Sequence, residues 1–190
     1  MVDQLTLKEV FSQPDWASVV QAYQQCSQYD QFERLFERPQ GIHGVHHARR
    51  VLFHTLVLCR LCNIDVQEQS LLVSAALFHD IGRDNDGRCL RHGKLSVEKM
   101  IRLNLVSEKQ ELAEMQKFII SYHCVGDDEC WSSLQQLENL DREKTWRLFG
   151  ILKDADGLDR VRIGDLDASY LRNPEALRME QLAREALIKF

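Results

Sequence analysis

Apolar residues recur along this chain at the three- and four-residue spacing of helices, and no stretch keeps the alternation of a strand for long. The pattern therefore predicts an all-α protein. Pro14 and Pro174 each begin a predicted helix, and Asp65, Ser107 and Asp141 are candidate helix N-caps. The predicted helices span about 14–26, 29–38, 45–62, 65–81, 92–103, 107–123, 142–161 and 174–189.

The chain is organised around a helix that is apolar or small at nearly every position from Leu71 to Phe78 and ends in His79 and Asp80. Such a helix is buried on most sides, and polar groups at its end need partners because burying them unpaired is costly. One interpretation is an ordinary helix end, with Gly82 as the cap and His79 near the negative end of the dipole. The other is a metal site, since imidazole and carboxylate both bind divalent ions.

Other histidines also lie at helix ends or inside apolar helices. His43 and His47 are four residues apart and share a helical face if the helix extends that far, His92 begins a predicted helix, and His123 ends another. His46 points about 100° away from His47 and is a candidate for orienting a ligand. Each of these features alone is compatible with a core or solvated histidine, but their combination favours a metal site.

Carboxylates interrupt an apolar helix near residue 155. Asp154 and Asp156 lie on neighbouring faces, and Lys153, Asp156 and Arg160 form one stripe at helical spacing. A stripe of this kind is also typical of a solvated face with weak ion pairs. His54 lies two turns beyond His47 and is interpreted as a core histidine.

Composition sets the class of protein. The 190 residues are 44% hydrophobic and 28% charged with a formal net charge of −5, which is typical of a single soluble domain over 1–190 and argues against a dedicated nucleic-acid-binding protein. No stretch is apolar enough to span a membrane. Six cysteines follow no disulfide framework, and Cys59 and Cys62 lie within a predicted helix as core residues, so we expect a reducing, cytoplasmic location.

Three ordered motifs resemble the HD-domain metal-dependent phosphohydrolases. They are His47-x-x-Arg50-Val51, His79-Asp80-Ile-Gly82 and Asp154-Ala-Asp156-Gly-Leu-Asp159. The resemblance covers about residues 41–163 and implies an HD-type helical bundle, with 1–40 as an N-terminal helical extension and 164–190 as a C-terminal helix. That last helix is amphipathic and can pack on its own core or on a second subunit.

The resemblance also implies a ligand set. By it, His47, His79, Asp80 and Asp156 hold a first divalent ion, and Asp154 is the alternative to Asp156. Extra histidines bind a second ion in some members, and His92 and His123 match these in order. His43 resembles the histidine that protonates the leaving group in the cyclic-nucleotide phosphodiesterase branch.

This ligand set fits hydrolysis by metal-activated water, because a bound divalent ion lowers the pKa of water. Asp80 has two oxygens with which to bridge two ions. Arg83 and Lys94 lie nearest in sequence to proposed ligands, and Lys153 and Arg160 flank Asp156, so these four and His43 are the further candidate catalytic residues. The other cations of the segment, Arg88, Lys99 and Arg102, are interpreted as surface residues.

We therefore expect a hydrolase that acts on a small phosphorylated substrate, with nucleotides as one class, and that uses one or two divalent ions. Manganese, iron, magnesium, cobalt, nickel and zinc all suit such ligands. The alternatives are a di-iron oxygenase with the same histidine count and a non-catalytic ligand-binding HD module. Retention of every imidazole and carboxylate argues against the last.

Overall fold

The computed structural model describes residues 3–28 and 32–190, and within these ranges the chain is all-α and contains no strand. These described residues form ten α-helices and four short 3-10 helices. The helices are α1 (Leu7–Ser12), α2 (Ala17–Ser27), α3 (Val45–Leu61), α4 (Val66–Phe78), α5 (His92–Arg102), α6 (Gln110–Tyr122), α7 (Asp127–Gln135), α8 (Arg142–Leu158), α9 (Pro174–Leu177) and α10 (Glu180–Lys189).

The core is built on α3. This helix packs against α4 and α8, and α6 packs against both of those helices, so their apolar faces meet in one cluster. Thirteen residues of α3 are buried, which explains why the helix is apolar nearly all round. The residues that interrupt this apolar character, among them His47, Arg50 and His54, are buried as well.

Two of the predicted caps begin helices as expected. Asp65 accepts hydrogen bonds from the backbone N–H groups of Gln67 and Glu68 at the start of α4, and Asp141 accepts one from Lys144 at the start of α8. Ser107 does not cap α6, which begins at Gln110 with Lys109 in the N-cap position.

Several other boundaries differ from the prediction. Residues 14–16 form a 3-10 turn before α2, and the predicted helix over 29–38 is a 3-10 helix at Phe32–Leu35, with residues 29–31 outside the described ranges. The predicted terminal helix is divided into α9 and α10 at Arg178, whose carbonyl accepts a hydrogen bond from the backbone of Leu5. Helices α1 and α7 were not predicted because each spans fewer than three turns.

Gly82 is not the helix cap that one of the two sequence interpretations assigned to it. α4 ends at Phe78 with His79 as the C-cap, and the φ of Gly82 is not positive. A Cβ at Gly82 would lie 2.2 Å from the backbone nitrogen of Ser96 in α5, and one at Gly93 would lie 2.3 Å from the carbonyl oxygen of Ile120 in α6. Both glycines therefore allow close backbone approach, and they bring α5 against the ends of α4 and α6.

No helix among the described residues is long and apolar enough to cross a lipid bilayer.

Candidate metal centre

Four histidines meet in the interior between α3, α4, α5 and α6. His47 comes from the first turn of α3, His79 follows the end of α4, His92 begins α5, and His123 follows the end of α6. All four are at most 5% exposed. Their rings form a continuous row, with centroids 5.1 Å apart from His47 to His79, 4.9 Å from His79 to His123 and 4.6 Å from His123 to His92.

Each of these imidazoles is hydrogen-bonded through Nδ1 to an acceptor. His79 donates to the carbonyl of Ala76 at 2.9 Å, His123 to the carbonyl of Ile120 at 2.7 Å, and His92 to the carbonyl of Cys89. His47 donates to the Asp159 carboxylate at 2.7 Å. A carbonyl or carboxylate oxygen can only accept, so Nδ1 carries the proton in each ring and the Nε2 lone pair is left open in the neutral form.

These Nε2 atoms face one another. His47 and His79 approach to 3.1 Å, and His92 and His123 approach to 2.8 Å, Nε2 to Nε2. Two lone pairs at such a distance repel unless a cation or proton lies between or beside them. Burial lowers the pKa of His79 to about 3 and lowers that of His92, so both are neutral at physiological pH. The arrangement has the donor chemistry of a metal site, and a divalent cation fits it.

Asp80 connects the two pairs. Its Oδ2 lies 3.5 Å from His47 Nε2 and 3.7 Å from His79 Nε2, while its Oδ1 lies 3.1 Å from His92 Nε2 and 3.6 Å from His123 Nε2. Burial alone would raise the pKa of this carboxyl, but the surrounding histidines hold it well below its usual range. Asp80 is therefore an ionised carboxylate with one oxygen facing each histidine pair.

The last helix of the core adds a further carboxylate. Asp156 Oδ1, on α8, lies 3.3 Å from His47 Nε2. Asp156, His47 and His79 together have ligand atoms within 4.8 Å of one another, as do His79, Asp80 and His123. The structure thus brings Asp156, and not Asp154, together with His47 and His79.

Asp154 occupies a different environment. It is fully buried and accepts hydrogen bonds from the backbone N–H groups of Arg172 and Asn173, from the side-chain amide of Asn173 and from the Arg172 guanidinium. The structure therefore uses Asp154 to hold the segment that follows residue 164 against α8. It does not bring Asp154 to the histidines.

Asp159 was not predicted to act in the site. It is fully buried, it accepts from Arg50 Nε at 2.6 Å and from His47 Nδ1 at 2.7 Å, and its pKa lies far below the usual value. Burial would raise that pKa, but the hydrogen bonds and charges of His47 and Arg50 outweigh burial. The pairing fixes the tautomer and orientation of His47, as outer-shell carboxylates do at metal sites. The sequence signal was its position three residues after Asp156.

Of the three remaining histidines, only His43 lies beside the cluster. His43 Nδ1 lies 3.0 Å from Asp80 Oδ2 and 3.3 Å from Arg162 Nη2, at the edge of the histidine cluster. His46 is exposed and bonds the carbonyl of Phe190. The prediction that His46 orients a metal ligand is therefore not supported by its contacts. His54 is a core histidine whose Nδ1 donates to the Ala155 carbonyl, and burial lowers its pKa to about 4.

A cavity of about 740 Å³ opens onto His43, Asp80, His92, His123 and Asp156. Its size is that of a small-molecule site. Apart from the proposed ligands, its charged lining is mostly cationic, with Asp165 and Asp167 as the acids. The cations are Arg83, Arg88, Lys153, Arg160, Arg162 and Arg172.

Three of the four predicted catalytic cations line this cavity, and the fourth, Lys94, does not. Arg83 contacts the cluster directly, with Nε 2.9 Å from Asp80 Oδ1. Lys153 donates to the Val125 carbonyl and pairs with Asp127, and Arg160 pairs with Asp165 at the rim. Lys94 is not part of the lining, since its ammonium lies 5.5 Å from the Tyr122 ring centroid on the exposed side of α5.

Three cavity residues were missed or assigned elsewhere from the sequence. Arg88 was interpreted as a surface cation, but it lines the cavity as well as being exposed. Arg162 bonds the carbonyls of Ile42 and Asp159, and Arg172 bonds Asp127 and Asp154. Both lie beyond the α8 motif, where the sequence has no helical periodicity to indicate direction.

The family model for the HD domain matches residues 44–161 of this chain, which is more than half of its length. The chain belongs to the HD-domain family. The match covers the helices that supply all four histidines, Asp80, Asp156 and Asp159 to this HD domain. Neither the curated proteins nor the solved structures gave a significant match.

Proposed function

We propose that this HD-domain protein is a metal-dependent phosphohydrolase that cleaves a small phosphate ester, with nucleotides as the first class to test. The observation that carries the proposal is the convergence of four imidazole Nε2 atoms on both oxygens of Asp80, next to a cavity with a mostly cationic wall. A divalent ion held in such a shell would lower the pKa of bound water and so would provide hydroxide at neutral pH.

The proposed ligands are His47, His79, Asp80 and Asp156 for one ion and Asp80, His92 and His123 for a second. Their nitrogen and oxygen atoms suit manganese, iron, cobalt, nickel, zinc or magnesium. Asp159 and the backbone carbonyls of Ala76 and Ile120 hold the rings in the ligating tautomer.

Arg83 and His43 are the protein groups best placed beside the reacting phosphoryl group. The Arg83 guanidinium touches Asp80 and also faces the cavity, where its planar N–H groups match phosphate oxygens. His43 Nδ1 lies between an acceptor, Asp80, and a donor, Arg162, so it can bond only one at a time. The Nδ1 atom carries a proton when it donates to Asp80 and carries none when it accepts from Arg162. A nitrogen that can hold or lack a proton in this way suits a residue that protonates a leaving group.

Small phosphorylated molecules are the proposed partners because the cavity has the size of a small-molecule site and its charged wall is mostly cationic. All six cysteines are free, which fits the proposed reducing, cytoplasmic location.

The test is phosphate release from a panel of phosphate monoesters, diesters and nucleotides, with the metal-free protein reloaded separately with manganese, magnesium, cobalt or nickel. We expect metal-dependent release that is lost in Asp80→Ala and kept in His46→Ala, whose side chain lies outside the cluster. Equal release from Asp80→Ala and the unchanged protein would contradict the proposal.

An iron-dependent oxygenase is the second candidate. It is favoured by the four imidazoles that surround a carboxylate with one oxygen toward each pair, a nitrogen-rich shell that suits iron. The same substrate panel, run with the di-iron protein in an oxygen electrode, separates the two. Oxygen consumption coupled to substrate loss without phosphate release identifies the oxygenase.

A further inference from the structure

The ends of α4 and α6 have the same local geometry. His79 follows α4 with φ −58° and ψ −30°, and His123 follows α6 with φ −59° and ψ −26°. Each donates Nδ1–H to the carbonyl three residues earlier, Ala76 in one case and Ile120 in the other. The two histidines therefore leave their helices in the same way and turn Nε2 toward the same centre.

The residue after each histidine carries a side chain that can bind a metal as an anion. After His79 it is Asp80, and after His123 it is Cys124. The Cys124 sulfur lies within 4.8 Å of a ligand nitrogen of His92 and of His123, and the same thiol lines the cavity. The His123–Cys124 pair thus repeats the His79–Asp80 pair, with a thiol in place of the carboxylate.

The nearby histidines independently indicate a cation. His92 and His123 are each 5% exposed, both Nδ1 atoms donate to backbone carbonyls, and the two Nε2 atoms lie 2.8 Å apart. Facing lone pairs at that distance repel unless a cation or a proton lies between or beside them, so the two nitrogens are placed to bind a cation together.

We propose that Cys124 is a thiolate ligand of the ion held by His92 and His123. The inference rests on the metal centre of the proposed function and adds a ligand to it. In the metal-free protein the thiol donates to the Leu90 carbonyl, with the sulfur 3.2 Å from that oxygen. On binding, the S–H bond breaks, the sulfur–metal bond forms, and the proton goes to solvent, so one proton is released for each thiolate bond.

A thiolate changes which ions this half of the centre prefers. Thiolate is a soft ligand that favours zinc, iron and cobalt over magnesium and manganese, which prefer oxygen. The half formed by His47, His79 and Asp156 has no cysteine, so the two halves of the centre differ in metal preference.

The test is anaerobic titration of the full-length metal-free protein with cobalt(II), followed by near-ultraviolet absorption and proton release. We expect a thiolate-to-cobalt charge-transfer band in the unchanged protein and in Cys89→Ser, a matched control because Cys89 is the other thiol that lines the cavity. The band should be absent in Cys124→Ser and Cys124→Ala, and the second ion should bind at least about tenfold more weakly, the minimum seen when even outer-shell partners are lost.

Two further measurements keep the test decisive if a variant folds poorly. In the unchanged protein, bound zinc should protect Cys124 but not Cys89 from alkylation, as read by mass spectrometry. Cys124→Asp, which copies the His79–Asp80 pair, should bind two ions without the band and with a preference moved toward manganese.

Two bound cobalt ions without a charge-transfer band, or an equal band in Cys124→Ser, would overturn the thiolate ligand and leave the phosphohydrolase proposal intact. A Cys124-dependent band in a protein that releases no phosphate from any substrate would support the ligand and count against the phosphohydrolase. A protein that binds no cobalt at all would overturn both.

Discussion

The Asp159 carboxylate accepts a hydrogen bond from the Nδ1–H of His47, with nitrogen and oxygen 2.7 Å apart, where the end of α8 meets the start of α3. This contact decides which nitrogen of His47 faces Asp80 and Asp156. Arg50, one turn after His47 on the same helix, holds the other side of the carboxylate with Nε at 2.6 Å from Oδ1. The orientation of His47 in the candidate metal centre therefore depends on a carboxylate that is not itself a proposed ligand.

Asp159→Asn tests this dependence. An amide cannot neutralise Arg50 and can present N–H instead of oxygen to His47, so we expect metal affinity to fall about 10- to 100-fold. The buried Arg50 charge also loses its partner, which should lower the free energy of unfolding of the metal-free protein by about 3–5 kcal/mol. Calorimetric metal titration and urea unfolding measure the two effects. Unchanged metal affinity in a folded variant would show that Asp159 does not orient His47.

Removing Asp156 should affect metal binding, whereas removing Asp154, on the same helix, should affect stability. Asp156→Ala should lose the first ion with little change in stability, because Asp156 faces the cavity and the histidines. Asp154→Ala should keep the ion but lose about 3 kcal/mol of stability, since the buried donors of Arg172 and Asn173 lose their acceptor. Metal content and urea unfolding of both variants provide the comparison. Metal loss in Asp154→Ala at normal stability, with metal kept in Asp156→Ala, would reverse the assignment.

Arg83 and Lys94 were equivalent candidates in the sequence and are distinct in the structure. Arg83→Ala removes a charged hydrogen bond to Asp80 and a cation from the cavity, so kcat/KM for phosphate release should fall roughly 10- to 100-fold. Lys94→Ala should change it by less than about twofold, since Lys94 lies against Tyr122 on the exposed side of α5. Steady-state kinetics on one substrate decide the matter. The opposite ranking would contradict the placement of the two cations.

His54 should make the folded protein less stable as the pH is lowered. His54 stays neutral in the folded state down to a pKa of about 4, whereas a histidine in the unfolded chain takes up its proton near 6.5. The unfolded state therefore binds more protons between these values, and the free energy of unfolding falls as the pH falls from 6.5 toward 4. His54→Asn keeps a donor for the Ala155 carbonyl and does not titrate. We expect its loss of stability over this window to be smaller by on the order of 3 kcal/mol.

Urea unfolding of the metal-free proteins at several pH values measures the difference between the two curves. His79 and the buried carboxylates titrate in both proteins and cancel in the comparison. Parallel curves for His54→Asn and the unchanged protein would mean that His54 is not held neutral.

The sequence predicted the helical class and most of the helices around the centre, because α3, α4, α5, α6 and α8 have long periodic patterns and two have clear caps. The resemblance of the three motifs grouped His47, His79, His92 and His123 with Asp80, and the structure brings these side chains together. The sequence left Asp154 and Asp156 open because neighbouring positions on a helix differ only in direction. That direction is decided by Arg172 and Asn173, which pack against α8 from a segment without periodicity.

Lys94 and Arg88 show the limit of sequence proximity. Lys94 lies two residues after a proposed ligand yet points away from it, whereas Arg88 lies in a turn-rich loop that folds along the cavity. One of the two sequence interpretations made Gly82 a helix cap from its position after α4, but the close approach of α5 is the reason for a glycine there. Close approaches between helices that are distant in sequence depend on tertiary packing, so they could not be predicted from the local sequence.

The most direct test of the metal centre is the number of ions bound per chain. The protein is purified anaerobically, stripped with chelator, reloaded with manganese, iron or cobalt, desalted and analysed by mass spectrometry, together with Asp80→Ala. We predict one or two ions per chain, a thermal unfolding midpoint raised by the metal, and loss of both in Asp80→Ala. The same metal content in Asp80→Ala, or a folded, unchanged protein that binds no divalent ion, would contradict the account.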